Sequence, residues 1–238
     1  MNVAASRLSR RIFLASTAAI ALARPSFAAT IKPDAKSALI VVDVQNCFVD
    51  GGTLPVKGGA QIVPVINKLA GSFDNIVVTQ DWHTPGHASF ASTHAGKKPF
   101  ETTQMPYGTQ VLWPDHCVQG SDDAALLKDL KLPTAQLIIR KGFHKDVDSY
   151  SAFLEADKKT ATGLAGYLKE RGLTRVFLAG LALDFCVRYS AEDARREGFA
   201  VVVIEDACRG IDVDGSIAAT RASFAPLGIT TVGADTIG

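Results

Sequence analysis

Five short apolar runs constrain the fold of this chain more than any other feature of its sequence. They cover residues 38–42, 76–79, 137–139, 176–179 and 201–204. Each is rich in β-branched residues and lacks the apolar–polar alternation of a strand with one face in water. Strands buried on both faces of a parallel sheet have this pattern, because helices cover both faces. We therefore predict a parallel sheet in the interior of the protein.

Segments with helical spacing separate these runs. They occupy residues 60–69, 160–171, 184–197 and 216–227, and a short sixth strand is expected at 229–232. Alternation of strands and helices implies right-handed crossovers between parallel strands. The predicted fold class is therefore α/β, a three-layer α/β/α sandwich around a mostly parallel sheet of about six strands. With no internal repeat and no linker after residue 36, residues 29–238 are predicted to form a single domain.

Composition and charge exclude several classes of protein. The chain is 47% hydrophobic and 21% charged, which excludes a disordered chain, and its four cysteines are too few for a disulfide scaffold. All basic residues of the first 28 positions are arginines, namely Arg7, Arg10, Arg11 and Arg24. The rest of the chain has 21 basic and 24 acidic residues, a net charge of −3, so no nucleic-acid partner is expected.

Residues 1–28 have the layout of an export signal. Arg10-Arg11 precedes the uncharged run 12–23, and Ser26-Phe27-Ala28 offers the small residues that signal peptidase prefers. The run is too short to anchor the chain stably in a hydrocarbon layer about 30 Å thick. The paired arginines resemble a twin-arginine signal. We expect cleavage near Ala28 and a periplasmic or secreted protein without a stable membrane anchor; an amphipathic N-terminal helix is the alternative.

Three residues with catalytic chemistry follow predicted strands, at the sheet edge where α/β proteins bind ligands. Asp43 comes directly after the first strand, Lys141 ends the third, and Cys186 follows the fourth across a tight turn. A partly desolvated carboxylate suits a general base, and a buried lysine needs an anionic partner. A cysteine in the first turn of a helix has its thiolate stabilised by free N–H groups. Together they predict a nucleophile with its base.

Each of these three residues also has an ordinary structural interpretation. Asp43 is equally a helix cap or an ion-pair partner, and Arg140 is as good a candidate cation as Lys141. A lone buried cysteine such as Cys186 is usually structural. Asp184 is expected to cap the helix that contains Cys186. Only the combination favours catalysis.

A metal site is predicted in and beside the long polar segment that follows the second strand. Asp81 and His83 are two positions apart in an extended segment, so their side chains point the same way, and His116 is placed to close the site. A carboxylate with two imidazoles suits Zn, Fe or Mn. We therefore expect one divalent transition metal, zinc in first place. His87 is expected near the metal rather than on it, and Cys117 is an alternative ligand.

These segments match motifs of a known family. The matching pieces are Val41-Val42-Asp43-Val44-Gln45-Asn46, Gln80-Asp81-Trp82-His83, Trp113-Pro114-Asp115-His116-Cys117-Val118, Lys141-Gly142, Asp148-Ser149-Tyr150-Ser151-Ala152-Phe153, Gly180-Leu181-Ala182 with Asp184 and Cys186-Val187, and Asp206-Ala207-Cys208-Arg209-Gly210. Over nearly all of residues 37–235 the chain resembles the isochorismatase-like cysteine hydrolases. The predicted metal ligands and the Trp-Pro-x-His-Cys motif are similar to those of the nicotinamidases within that superfamily.

The resemblance implies hydrolysis of nicotinamide to nicotinate and ammonia, with pyrazinamide as a second substrate. Cys186 would attack the carboxamide carbon, Asp43 would accept the thiol proton, and Lys141 would hold this pair. The backbone N–H groups of Ala182 and Cys186 would form the oxyanion hole, after a cis peptide bond between Leu181 and Ala182.

The resemblance also assigns the substrate contacts. The metal would bind the pyridine nitrogen, held by Asp81, His83 and His116. The walls of the pocket would be Phe48, Trp113 and Tyr150. The expected partner is thus a small-molecule substrate, and a homo-oligomer is compatible with the sequence.

Cys47 departs from the family pattern, which usually has Asp at this position. In an oxidising compartment this thiol is expected either to pair with Cys117 or to be oxidised. Three other functions are alternatives: another isochorismatase-like hydrolase, such as an isochorismatase or an N-carbamoyl amidohydrolase; a catalytically silent nicotinamide-binding module; and a papain-like hydrolase with His144 or His116 as base. The complete set of Asp43, Lys141 and Cys186 disfavours the silent module, and the strand–helix alternation disfavours the papain-like enzyme.

Overall fold

The computed structural model describes Met1 and residues 30–238, so the predicted export signal, apart from Met1, lies outside the described residues. Its strands are β1 (Ser37–Val42), β2 (Asn75–Asp81), β3 (Thr102–Met105), β4 (Gly108–Val111), β5 (Leu137–Lys141), β6 (Arg175–Leu181), β7 (Ala200–Arg209) and β8 (Thr230–Val232). The α-helices are α1 (Val63–Ala70), α2 (Leu164–Glu170), α3 (Arg188–Arg196) and α4 (Ser216–Phe224). A π-helical turn, Leu183–Val187, precedes α3.

Six of the strands form one sheet in the order β5-β2-β1-β6-β7-β8, and every neighbouring pair is parallel. This confirms the predicted α/β fold, with a sheet that is wholly rather than mostly parallel. All six residues of β1 are buried, because the strand lies in the middle of the sheet. Leu39 and Val41 pack into the core on one face, and Ile40 and Val42 pack into the core on the other. The continuous apolar run therefore reflects two covered faces.

Two local features of the structure differ from the sequence prediction. The helix expected over 160–171 begins only at Leu164, because residues before it form an irregular segment in which Leu154 pairs with Ala161. Gly163 precedes the helix with φ of +96°, a conformation that favours glycine. The long polar segment after β2 contains the antiparallel hairpin of β3 and β4, which was not predicted.

Asp184 does not cap the helix that follows it. It lies inside the π-helical turn, and no side chain caps this turn. Its carboxylate instead accepts hydrogen bonds from the backbone N–H groups of Ile211 (3.0 Å) and Asp212 (2.8 Å) and from the Ser216 hydroxyl (2.5 Å). Asp184 therefore ties the turn containing Cys186 to the start of α4.

Among the described residues, no helix is both long enough and apolar enough to cross a membrane.

Candidate active site

The carboxyl ends of β1, β5 and β6 bring Asp43, Lys141 and Cys186 together. Lys141 Nζ lies 2.8 Å from Asp43 Oδ2 and 3.4 Å from Cys186 Sγ. All three side chains are buried. The alternative cation, Arg140, points away from this cluster, and its guanidinium stacks 3.9 Å from the centre of the Trp82 ring. The buried cation beside the thiol is therefore Lys141.

The pKa values of these groups are set by burial and by each other. Burial raises the pKa of the Cys186 thiol well above its usual range, and Lys141 opposes this only in part. Burial also raises the pKa of Asp43 against the opposing effect of Lys141. Burial would lower the pKa of Lys141, but the carboxylates of Asp43 and Asp81 outweigh it and hold that pKa well above its ordinary value. Burial therefore favours the neutral thiol of Cys186, whereas the neighbouring Lys141 ammonium favours the thiolate.

Asp43 is oriented by a residue that the sequence did not single out. The Thr79 hydroxyl donates to Asp43 Oδ1 at 2.5 Å, and the Asp43 backbone N–H donates to Thr79 Oγ1 at 3.1 Å. Apart from the ion pair with Lys141, Asp43 Oδ2 accepts no hydrogen bond within the described part of the chain. Thr79 therefore holds one carboxylate oxygen and leaves the other facing Lys141. In the sequence Thr79 is only one more β-branched residue of a buried strand.

Gln45 performs a similar task for Asp81. Its side-chain amide accepts a hydrogen bond from the Asp81 backbone N–H and donates one to the Asp81 carbonyl, each at 2.8 Å. The segment after β1 is thereby fixed to the end of β2. Gln45 belongs to the Asp43-Val44-Gln45 motif that the sequence analysis identified, but no role was predicted for this residue.

Asp81, His83 and His116 form a buried cluster beside the thiol. Asp81 Oδ2 lies 3.1 Å from His83 Nε2 and 3.6 Å from His116 Nε2. The other nitrogen of each ring is hydrogen-bonded to a backbone carbonyl, His83 Nδ1 to Gly142 at 3.0 Å and His116 Nδ1 to Pro114 at 2.8 Å. Such contacts orient metal-ligating histidines, and these donor atoms suit zinc, iron or manganese. The three residues fit a divalent metal ion.

Charge pairing within this cluster is strong. Burial would raise the pKa of Asp81, but His83 and Lys141 outweigh it and hold that pKa well below its usual range. Lys141 Nζ lies 3.1 Å from Asp81 Oδ1, so one ammonium contacts both Asp43 and Asp81. The candidate metal ligands and the candidate nucleophile therefore share one cation.

His87 and Asp148 offer a second group of donors near His83. The ligand atoms of these three residues lie within 4.8 Å of one another. Both ring nitrogens of His87 already have partners, since Nδ1 lies 2.8 Å from Ser89 Oγ and Nε2 lies 3.0 Å from the carbonyl oxygen of His144. The His87 and His83 rings are 4.4 Å apart. This places His87 beside the ligand cluster as a packing partner of His83.

A narrow pocket opens at Cys186. Its lining residues are Phe48, Leu54, Asp81, His83, Trp113, His116, Asp148, Tyr150, Ala182, Phe185, Cys186 and Ile211. They include all three predicted aromatic walls, and the Trp113 indole N–H donates to Tyr150 Oη at 2.9 Å. The Leu181–Ala182 peptide bond is cis. Asp148, Phe185 and Ile211 were not predicted as pocket residues; Phe185, next to the nucleophile in sequence, was the easiest to find.

A larger and more open groove lies at the ends of β7 and β8, and it lacks comparable chemistry. Its two arginines, Arg209 and Arg221, are engaged with the backbone around Cys208 and with Glu205. The Cys208 thiol is buried and contacts the Ile204 carbonyl at 3.3 Å. The narrow pocket at Cys186 is therefore the candidate active site.

Comparison with known proteins identifies the class to which this site belongs. Residues 37–235 match the isochorismatase domain family. A nicotinamidase of Acinetobacter baylyi is 63% identical over 180 residues, which cover 76% of this chain and 84% of that protein. The chain belongs to the isochorismatase family of hydrolases. Within that family, its similarity is to the nicotinamidases.

Solved structures agree with this assignment. A nicotinamidase/pyrazinamidase of Acinetobacter baumanii superposes with a TM-score of 0.85 at 55% identity, covering 86% of this chain and 99% of that one. A pyrazinamidase of Pyrococcus horikoshii, solved in complex with zinc, superposes with a TM-score of 0.68 at 33% identity, covering 83% of this chain and 99% of that one.

Proposed function

We propose that this protein hydrolyses nicotinamide to nicotinate and ammonia, and that it also accepts pyrazinamide. The observation that supports this most is the thiol of Cys186, which stands beside Asp43 and Lys141 at the end of a narrow aromatic-walled pocket. The names of the similar proteins supply the substrate class, a heteroaromatic carboxamide. The geometry supplies a nucleophile, a base and a slot for a flat ring.

The first half of the reaction forms a thioester. The Cys186 thiol gives its proton to Asp43 as its sulfur attacks the carboxamide carbon, and Lys141 stabilises the negative charge that passes from carboxylate to sulfur. The proton on Asp43 is then delivered to the departing nitrogen, and ammonia leaves. The raised pKa of Asp43 suits both steps, because the group must accept and then release one proton.

The second half of the reaction restores the thiol. Asp43, again unprotonated, takes a proton from water as the water oxygen attacks the thioester carbon. The carbon–sulfur bond breaks, and the sulfur recovers its proton as nicotinate forms. The backbone N–H groups of Ala182 and Cys186 are proposed to donate to the oxyanion in both halves, since both residues line the pocket.

Substrate binding is assigned to the other lining residues. Phe48, Trp113 and Tyr150 enclose the ring. A divalent metal held by Asp81, His83 and His116 would supply a Lewis acid for the ring nitrogen. Zinc is the first candidate because the Pyrococcus horikoshii protein was solved with it.

Ammonia release from nicotinamide, measured before and after removal of bound metal, tests this function. We expect release that stops on chelation and returns with Zn, Fe or Mn. Cys186→Ala should abolish turnover and still bind nicotinate, because the walls and metal ligands remain. No release by the reduced, metal-loaded protein would overturn the proposed substrate and favour another family substrate or a silent binding module.

We also propose that residues 1–28 direct export and are removed near Ala28. The arginine pair, the uncharged run and the small residues before the cleavage point support this proposal. A reporter protein fused after residues 1–35 should appear in the periplasm or medium, and replacement of Arg10-Arg11 by two lysines should retain it in the cytoplasm. A reporter that stays cytoplasmic with the native segment would contradict export.

A further inference from the structure

A disulfide bond connects two parts of the candidate active site. Cys47 and Cys117 are bonded to each other, with their Cα atoms 5.6 Å apart and a separation of 70 residues in sequence. Cys47 precedes the pocket residue Phe48, and Cys117 follows the candidate metal ligand His116. We propose that this disulfide is a positioning element of the active site: it holds His116 and Phe48 in place, so that metal retention and ring binding depend on the bond. The ring-binding part rests on the proposed function.

The bond lies against the ligand cluster itself. The Cys117 sulfur lies within 4.8 Å of a carboxylate oxygen of Asp81 and of a ring nitrogen of His116. The Cys117 carbonyl accepts a hydrogen bond from the His83 backbone N–H at 3.0 Å. Cys117 thus contacts the segments that carry all three candidate metal ligands, and any displacement of Cys117 is transmitted to them.

The two linked segments meet a second time at the residues beside the disulfide, Phe48 after Cys47 and His116 before Cys117. The rings of Phe48 and His116 are 5.7 Å apart in an edge-to-face contact. His116 lies in an irregular segment, outside the helices and strands, so no regular hydrogen-bond ladder fixes its position. The covalent bond between Cys47 and Cys117 adds a constraint to the isolated hydrogen bonds that hold this loop.

Asp123 provides the noncovalent part of the connection. Its carbonyl accepts from the Cys47 backbone N–H at 2.8 Å, and its Oδ2 accepts from the Cys117 backbone N–H at 3.1 Å. These hydrogen bonds remain available after the disulfide is broken. We therefore expect loss of the bond to loosen the loop without unfolding the protein.

Reduction of the bond by a dithiol follows ordinary exchange chemistry. The sulfur–sulfur bond breaks, Cys47 and Cys117 each gain a proton and an electron as thiols, and the dithiol is oxidised to its own disulfide. Both cysteines are fully buried, so the exchange requires local opening of the loops. Variants are therefore a cleaner test than brief treatment with reductant.

The test compares zinc release by the wild-type protein and by the double variant Cys47→Ser/Cys117→Ser, using a chromogenic chelator. We expect release from the variant to be about tenfold faster or more, the range found when groups that orient metal ligands are removed. Nicotinate affinity should fall as well. The alkylation rate of Cys186 in the metal-free protein should be unchanged, because the disulfide does not contact that thiol.

Two control variants separate positioning from general stability. Cys208→Ser removes a buried thiol outside the site, and Val203→Ala creates a cavity in β7 away from the pocket. Both should release zinc at the wild-type rate, even where the temperature of unfolding falls. If the double variant does not fold, prolonged reduction of the wild-type protein with a dithiol gives the same comparison.

Two results would overturn the proposal. One is unchanged zinc release and nicotinate affinity in the double variant; the other is four titratable thiols in the denatured, air-oxidised protein, where two are expected from Cys186 and Cys208. The zinc-release measurement does not depend on catalytic activity. A protein that fails to hydrolyse nicotinamide but loses zinc faster without the bond would contradict the proposed function and support this inference.

Discussion

The position of the proposed base depends on a single hydroxyl group. Thr79 donates to one oxygen of Asp43, and this hydrogen bond lowers the pKa of a carboxyl group that burial raises. The same threonine accepts from the Asp43 backbone N–H, so the side chain and backbone of the base are fixed together. Thr79 is a positioning residue, since it acts on the substrate only through Asp43.

Thr79→Val should move the acidic limb of the pH–rate profile to higher pH. Valine keeps the β-branched shape but removes the hydrogen bond that lowers the pKa of Asp43. Activity needs unprotonated Asp43 and is lost as pH falls through that pKa, so a higher pKa means loss at a higher pH. We also expect kcat/KM to fall about tenfold to a hundredfold. The measurement is kcat/KM for nicotinamide across pH.

Thr79→Ser is the matched control for this prediction, because it retains the hydroxyl group. Its acidic limb should stay near that of the wild type. An unshifted limb in Thr79→Val, with Asp43→Asn inactive, would show that Thr79 does not tune the base.

His83→Ala should remove bound metal and weaken nicotinate binding, but leave the Cys186 thiol reactive toward an alkylating reagent. The reason is that His83 lies 3.1 Å from Asp81 in the candidate metal cluster, whereas the Cys186 thiol contacts Lys141, which this substitution retains. Metal content by elemental analysis and the alkylation rate measure the two effects separately. Full metal content with normal kinetics would contradict the metal assignment.

Sequence reasoning found the site residues whose side chains are charged or nucleophilic in an otherwise apolar stretch. Asp43, Lys141 and Cys186 are unusual at strand ends, and the structure brings them together. Thr79 was missed because threonine is ordinary in a buried strand. Asp184 was predicted to cap its own helix, but its carboxylate accepts hydrogen bonds from Ile211 and Ser216, which are far from it in sequence. Such contacts cannot be predicted from the residues next to Asp184.

At the level of elements, the central strands approach each other unusually closely next to Asp43. Gly180 in β6 has φ of +129°, and a Cβ built there would lie 2.0 Å from the Val42 carbonyl oxygen of β1. The pairing of β6 with β7 is shifted at the same point, between Leu178 and Gly180. The base and the nucleophile follow these two strands, so their separation depends on this approach.

Gly180→Ala should destabilise the protein by about 3 kcal/mol or more, because the clash is with backbone and overpacking of a rigid core is costly. Gly172→Ala is the control. That residue also has positive φ (+67°) but open space around it, so only the cost of a left-handed conformation, about 1–2 kcal/mol, is expected. Chemical denaturation gives both values, and equal losses would show that the close approach is unimportant.

The positions of strands and helices were predicted best where most of their residues are buried. Strands β1, β2, β6 and β7 were found because burial on both faces leaves a continuous apolar run in the sequence. The hairpin of β3 and β4 was missed because its strands have four residues each and are mostly polar and only partly buried, which leaves no apolar pattern. The start of α2 was misplaced because Leu154 and Ala161 form an isolated antiparallel bridge, which the apolar pattern of this segment does not indicate.

For the molecule as a whole, bound metal should contribute directly to stability. Asp81 and its histidines are buried, and a ligand that binds only the folded state stabilises it by mass action. At a hundred times its Kd, zinc should raise the free energy of unfolding by about 2.7 kcal/mol. His116→Ala should lose most of this gain. Thermal unfolding with and without zinc measures the effect, and equal gains in both proteins would place the zinc elsewhere.

The order of strands in the sheet has a consequence for biosynthesis. The proposed base and the metal ligands follow β1 and β2, whereas Lys141 ends β5 and the nucleophile follows β6, so the four neighbouring strands around the site come from both halves of the chain. Domains tend to fold from the N-terminus as the ribosome releases them. No nascent fragment that ends before β6 can contain the complete site. Among the candidate catalytic side chains and metal ligands the thiol is the last to emerge, and the turn that contains it gains its hydrogen bonds to Ile211 and Ser216 only after those later residues follow.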